Sequence, residues 1–115
     1  MATLAQNVIT RAGVVETLVA ATAGGDAAPC NPDNYLKVNN GGGSPITVTL
    51  AIPAAYSGWS GVTYTNSVIT VTNGTARLIG PLNPAIYQDP VTGLCTITYS
   101  GTTSVTVGVF CNLEP

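Results

Sequence analysis

YLKVNNGGGSPITVTLAI, residues 35–52, is the stretch whose reading decides the fold. In its second half Ile46, Val48, Leu50 and Ile52 fall on one side of an extended chain, and Thr47, Thr49 and Ala51 on the other. Side chains alternate across a strand with period two, whereas a helix would scatter these residues around its axis. The first half, from Tyr35 to Asn40, alternates in the same way. Between them Asn40-Gly41-Gly42-Gly43 can supply positive φ without a Cβ clash, and Ser44-Pro45 leads into the second run. Two strands joined by a hairpin are therefore expected.

The same pattern recurs to the C-terminal side. VITVT (68–72) and TARLIGPL (75–82) flank Asn73-Gly74, a dipeptide suited to a two-residue hairpin. LCTITYS (94–100) and SVTVGVF (104–110) form a last pair around SGTTS. One face of the first carries Cys95, Ile97 and Tyr99; one face of the second, extended to residue 111, carries Val105, Val107, Val109 and Cys111. Paired side by side through a five-residue loop, they would set Cys95 opposite Val109. Cys111 would then be a diagonal neighbour of Cys95 at roughly 7–8 Å, beyond ordinary disulfide reach. Free thiols on the core side are expected for both, and reduced Cys30 with them.

Between these runs the chain reads as loop. GGDAAPCNPDN (24–34) combines Gly, Pro and Asx residues, and NPAIYQDPVTG (83–93) carries two prolines that would interrupt a central strand. PAAYSGWSGVTYTN (53–66) surrounds Tyr56, Trp59 and Tyr64 with Gly and Ser, with room for a short strand over residues 62–65. Residues 1–25 are ambiguous, because Val14, Val15, Leu18 and Val19 have helical spacing while β-branched residues and flanking glycines favour extended chain. ITVT occurs at 46 and again at 69 with irregular spacing, which is a repeated strand solution and no solenoid. Six or more short strands separated by turn chemistry define an all-β, single-domain antiparallel β-sandwich, Ig-like or jelly-roll-like. Residues 1–23 form an N-terminal arm or edge strand, and residues 24–115 form the sandwich.

Composition narrows the function. Only 7% of the 115 residues are charged, against about a quarter in an average domain, and there is no histidine. Threonine, with good β propensity and a wettable hydroxyl, must supply the outer strand faces. Such a surface has little self-repulsion and suits a protein packed against neighbours. Three basic residues, Arg11, Lys37 and Arg77, cannot follow a phosphate backbone, so nucleic acid is not an expected partner. No apolar run is long enough to span a bilayer as a helix, and MATLAQNVITRAG lacks the pattern of a secretory signal. Synthesis in a cytoplasm is expected, and NGT at 73–75 then reads as a turn before it reads as a glycosylation site.

Little points to chemistry. Without histidine, acid–base work would fall to scattered carboxylates, tyrosines and cysteines. Asp26, Asn31 and Asp33 share a loop, yet lack the spacing of a calcium loop, so neither a metal nor another cofactor is expected. Cys30, Cys95 and Cys111 lack the paired spacings of a zinc site and any His base for nucleophilic attack. An enzyme is not expected. Tyr56, Trp59 and Tyr64 are the candidate interaction surface, whether as a contact with another protein or as a platform that stacks on glycan; the other reading of the three rings is a cover over the open end of the sandwich.

Four segments carry a resemblance: RAGVVETLVAATAGGD (11–26), YLKVNNGGGSPITVTL (35–50), ARLIGPLNPAIYQDPVTG (76–93) and ITYSGTTSVTVGVF (97–110). Their order resembles that of a family of small structural proteins of tailed bacteriophages. The resemblance covers nearly the whole chain; the aromatic 53–66 loop and the three cysteines depart from it. It implies a β-sandwich that binds the major capsid protein lattice as a decoration or minor capsid (cement) protein. That protein would be made in the bacterial host cytoplasm, sit on the capsid surface of the virion, and be present as a homo-oligomer or as lattice-associated copies. The alternatives are a glycan- or host-surface-binding module on the virion, or a neck or tail-completion protein.

Overall fold

Burial alternates along the strands as the residue spacing requires. The computed structural model describes residues 2–31, 33–52, 66–80, 82, 84–89 and 92–111. Ten strands and one helical turn follow in chain order: β1 (Ala2–Thr3), β2 (Gln6–Val8), β3 (Val19–Ala20), β4 (Asp26–Pro29), β5 (Asn34–Asn40), β6 (Ile46–Leu50), β7 (Ser67–Val71), β8 (Thr75–Ile79), α1 (Pro84–Tyr87), β9 (Leu94–Tyr99) and β10 (Val105–Cys111). They form two five-stranded sheets, one ordered β1-β4-β9-β6-β7 and the other β2-β10-β5-β8 with β3 also on β10. The chain is thus an all-β sandwich. All pairs are antiparallel except β1 with β4 and β2 with β10.

The core lies between the sheets. Ile46, Val48 and Leu50 of β6, Val71 of β7 and Ile97 of β9 meet Leu36 and Val38 of β5 and Val105, Val107 and Val109 of β10. Each such side chain contributes about 1.5–3 kcal/mol by leaving water. Thr47, Thr49, Thr70, Thr96 and Thr98 occupy the intervening positions and face outward, half-buried or exposed.

The strand faces match the expected ones, but the pairing differs. None of the three expected hairpins forms. β5 lies in one sheet and β6 in the other, and the same holds for β7 with β8 and β9 with β10. In a hairpin two apolar faces lie side by side and both need a second layer. A crossover lets the same two faces cover one another across the core. The three crossovers share one end of the sandwich and pack together. Asn40, fully buried, donates from Nδ2 to the carbonyls of Ser44 (2.9 Å) and Val71 (3.0 Å), and its Oδ1 accepts from the Gly42 N–H (3.0 Å). Its own carbonyl accepts from Gly74 N–H at 2.7 Å, so the first two crossovers are tied at one residue. The third lies against Gly41 and Gly42: a Cβ on Gly42 would sit 2.8 Å from the Thr103 carbonyl oxygen. The glycine run therefore serves close approach of three chain segments.

Several further expectations are corrected. Cys95 and Cys111 lie in different sheets, opposite Ala28 and Asn34 respectively, and not on adjacent strands with Cys95 facing Val109. Within the 24–34 stretch expected to be loop, Asp26–Pro29 forms β4 between β1 and β9. It has no β-branched residue; its neighbours on either side make it a strand, and its small Ala27 and Ala28 fit the space they leave. The 83–93 loop contains the single turn α1.

Residues 2–20 run along one flank of the sandwich. β1 adds to β4, Leu4 turns inward between the sheets, and β2 adds to β10. Residues 9–18 then cross to β3, which rejoins β10. This connection lies against Gly108, where a Cβ would meet the Thr17 carbonyl oxygen and Leu18 Cδ2 at 2.8 Å. Glu16 binds Lys37 of β5 at 2.6 Å, an exposed ion pair contributing at most about 1 kcal/mol.

Candidate interaction surface

The aromatic candidates Tyr56, Trp59 and Tyr64 lie outside the described residues. Their loop departs from Ile52, whose N–H donates to Asn66 Oδ1 at 2.9 Å, at the end of β6 remote from Asn40.

The described residues place another surface on the flank opposite β1 and β2. Among the described residues β7 and β8 are the last strands of their sheets there. Each carries two consecutive aliphatic residues, Val68-Ile69 and Leu78-Ile79, and in a strand one of each pair must face outward. Val68 is 61% and Leu78 66% exposed. Natural edge strands are commonly blunted by charge, proline, bulges or extreme shortness. β7 and β8 contain neither proline nor acid, and Arg77 is their only charge.

Between these edges the two sheets part into a cleft of about 450 Å³. Leu50, Ile69 and Ile79 form its floor and Tyr87 of α1 a wall, with the Tyr87 hydroxyl 2.6 Å from that of Ser67. Arg77 pairs with Val38, a core residue, so its side chain starts on the inner side of its sheet and lines the cleft. Among the described residues Arg77 has no ion-pair partner, and no acidic residue lines the cleft. Strand order was needed to see this site; the doubled aliphatics were the sequence signal for it.

Elsewhere, titratable groups serve the fold. Asp26 is fully buried, and its Oδ2 accepts from Tyr99 Oη (2.8 Å) and from the Thr22 N–H (3.2 Å). Burial, then the hydrogen bond to Asp26 and its negative charge, pushes the Tyr99 hydroxyl well above the usual tyrosine range. The three cysteines are free thiols. A hydrogen bond from Cys95 lowers the Cys30 thiol, while the same contact and burial raise Cys95. Burial raises Cys111 as well. Among the described residues no group of three His, Cys, Asp or Glu is placed to hold a metal ion. No helix of the described residues is long and apolar enough to cross a membrane.

The described residues of this flank make it suited to receiving another chain: two strand edges that no other described strand covers, an aliphatic floor and one basic group. No family model, curated protein or solved structure matches the chain.

Proposed function

We propose that the chain is a non-enzymatic structural protein of a tailed-phage virion that binds the major capsid protein lattice as a decoration or minor capsid protein. The observation that carries this reading is the β7–β8 flank, where two edge strands expose Val68 and Leu78 with, among the described residues, no blunting device but Arg77. Free in solution, such edges invite association with other strands; docked on a lattice, they are covered. The charge-poor, threonine-faced exterior supports the same reading, since it offers hydroxyls and methyl groups for close packing without the desolvation cost of buried charge. The resemblance of residues 11–26, 35–50, 76–93 and 97–110 to small phage structural proteins supplies the partner.

Imaging particles with and without the gene tests this. The expected result is density for the chain at regular positions on the shell, with shells lacking it opening at lower temperature. Density confined to the neck or tail, with shells of unchanged heat stability, would refute it.

A further inference from the structure

The two flanks of the sandwich are built alike and closed differently. On the first, residues 2–8 act in sequence: β1 adds to the edge of β4, Leu4 passes between the sheets, and β2 adds to the edge of β10. Leu4 is 3% exposed, and its N–H donates to the Ala27 carbonyl at 2.8 Å. An extended segment that pairs, plugs and pairs again is thus already seated in one lateral gap of this fold.

Among the described residues, the second flank offers the same elements without the segment. It has an edge strand in each sheet, β7 and β8, and an aliphatic cleft between them. Two features set it apart from the first. The cleft is lined by Arg77, which has no ion-pair partner among the described residues, and by the hydroxyl pair of Ser67 and Tyr87. A guanidinium beside an apolar floor selects a carboxylate placed next to an aliphatic side chain.

The geometry points to the β7–β8 flank as the docking site for an extended segment of a partner protein. That segment runs from the β7 edge to the β8 edge as residues 2–8 run from β4 to β10. It seats one branched aliphatic side chain between Ile69 and Ile79, and it sets an adjacent Asp or Glu against Arg77. This is strand addition, in which backbone hydrogen bonds supply much of the affinity and the plug and the charge supply the choice of partner. The inference rests on the reading of the chain as a docked structural subunit, and names the means of docking.

The test uses the full chain and two fluorescein-labelled octapeptides, Thr-Val-Thr-Leu-Glu-Val-Thr-Ser and its counterpart with Lys in place of Glu, followed by fluorescence anisotropy at low salt. The Glu peptide is expected to bind at least tenfold more tightly than the Lys peptide. The exposed charge reversal Arg77→Glu, with the circular dichroism of the parent, is expected to invert that order. Equal binding of both peptides, no binding of either at millimolar concentration, or an order unchanged by Arg77→Glu would overturn the inference. A second arm mixes the chain with shells assembled in its absence and measures co-sedimentation. If the parent and Arg77→Glu co-sediment equally, docking stands and the cleft is not its means. If the parent fails to co-sediment while the peptides are still discriminated, the cleft binds acidic strands and the capsid reading falls.

Discussion

Replacing Asn40 with alanine tests the claim that one buried amide holds two of the crossovers between the sheets. The side chain makes three hydrogen bonds, of 2.9, 3.0 and 3.0 Å, to Ser44, Val71 and Gly42, and none of its surface reaches solvent. Each such bond contributes about 1 kcal/mol net, and a buried group left without a partner costs about 1–3 kcal/mol. The Val71 carbonyl lies in the interior, so the loss is expected at about 3–5 kcal/mol, about a fifth or more of the stability of an ordinary domain. In urea, with a slope of about 2 kcal/mol per molar, the midpoint should fall by about 2 M. Asn39→Ala, on the exposed neighbouring position of β5, is the control and should stay within about 0.5 kcal/mol of the parent. Asn40→Asp adds a signature that a cavity would not produce. It retains the acceptor for Gly42 N–H but turns a carboxyl group toward the Ser44 and Val71 carbonyls. The folded state then favours the protonated acid, and stability should fall as pH rises through the carboxyl range. A loss under about 1 kcal/mol for Asn40→Ala, or one equal to that of Asn39→Ala, would refute the reasoning and leave the crossovers held by glycine packing alone.

Tyr99→Phe removes the hydroxyl that binds Asp26 and should cost about 1.5 kcal/mol at neutral pH, the low end for a bond to a charged group because Tyr99 is only half-buried. The folded Tyr99 hydroxyl is raised, so the contribution is full below about pH 10 and declines above it; denaturation of parent and variant should converge there. Gly108→Val would place its side chain against Thr17 and Leu18, lifting residues 9–18 from their sheet, and is expected to speed tryptic cleavage after Arg11 at least tenfold; unchanged cleavage would show that this connection needs no glycine. Brief treatment of the native protein with iodoacetamide at pH 8 should label Cys30, whose thiol is lowered and half-buried, and spare Cys95 and Cys111 until urea is added. Mass spectrometry of the tryptic peptides reads that order, and early labelling of Cys95 would contradict it.

Strand faces were legible from the sequence because period two is a local property. Val48 and Leu50 point inward and Thr47 and Thr49 outward whichever strands flank them. Sheet membership was not legible, since Asn-Gly turns serve hairpins and crossovers alike. The deciding contact, from Asn40 to the Val71 carbonyl, spans 31 residues of sequence. β4 was invisible for a related reason: Asp-Ala-Ala-Pro has no strand preference, and only the surrounding β1 and β9 impose the conformation. The candidate cleft was half legible. Val68-Ile69 and Leu78-Ile79 announce an outward aliphatic on each strand. Only the strand order shows that both strands end their sheets on the same flank. Tyr56, Trp59 and Tyr64 fall where the described residues do not reach.

The difference between the two flanks also sets how many copies of the chain can join edge to edge. One side is already occupied by short, broken pieces of the chain's own beginning, none longer than the three residues of β2, and these give a newcomer little ladder to extend. Among the described residues, the other side is the one that still presents five-residue ladders, β7 and β8, to a newcomer. A block with its adhesive margin on one side favours pairing over growth in both directions.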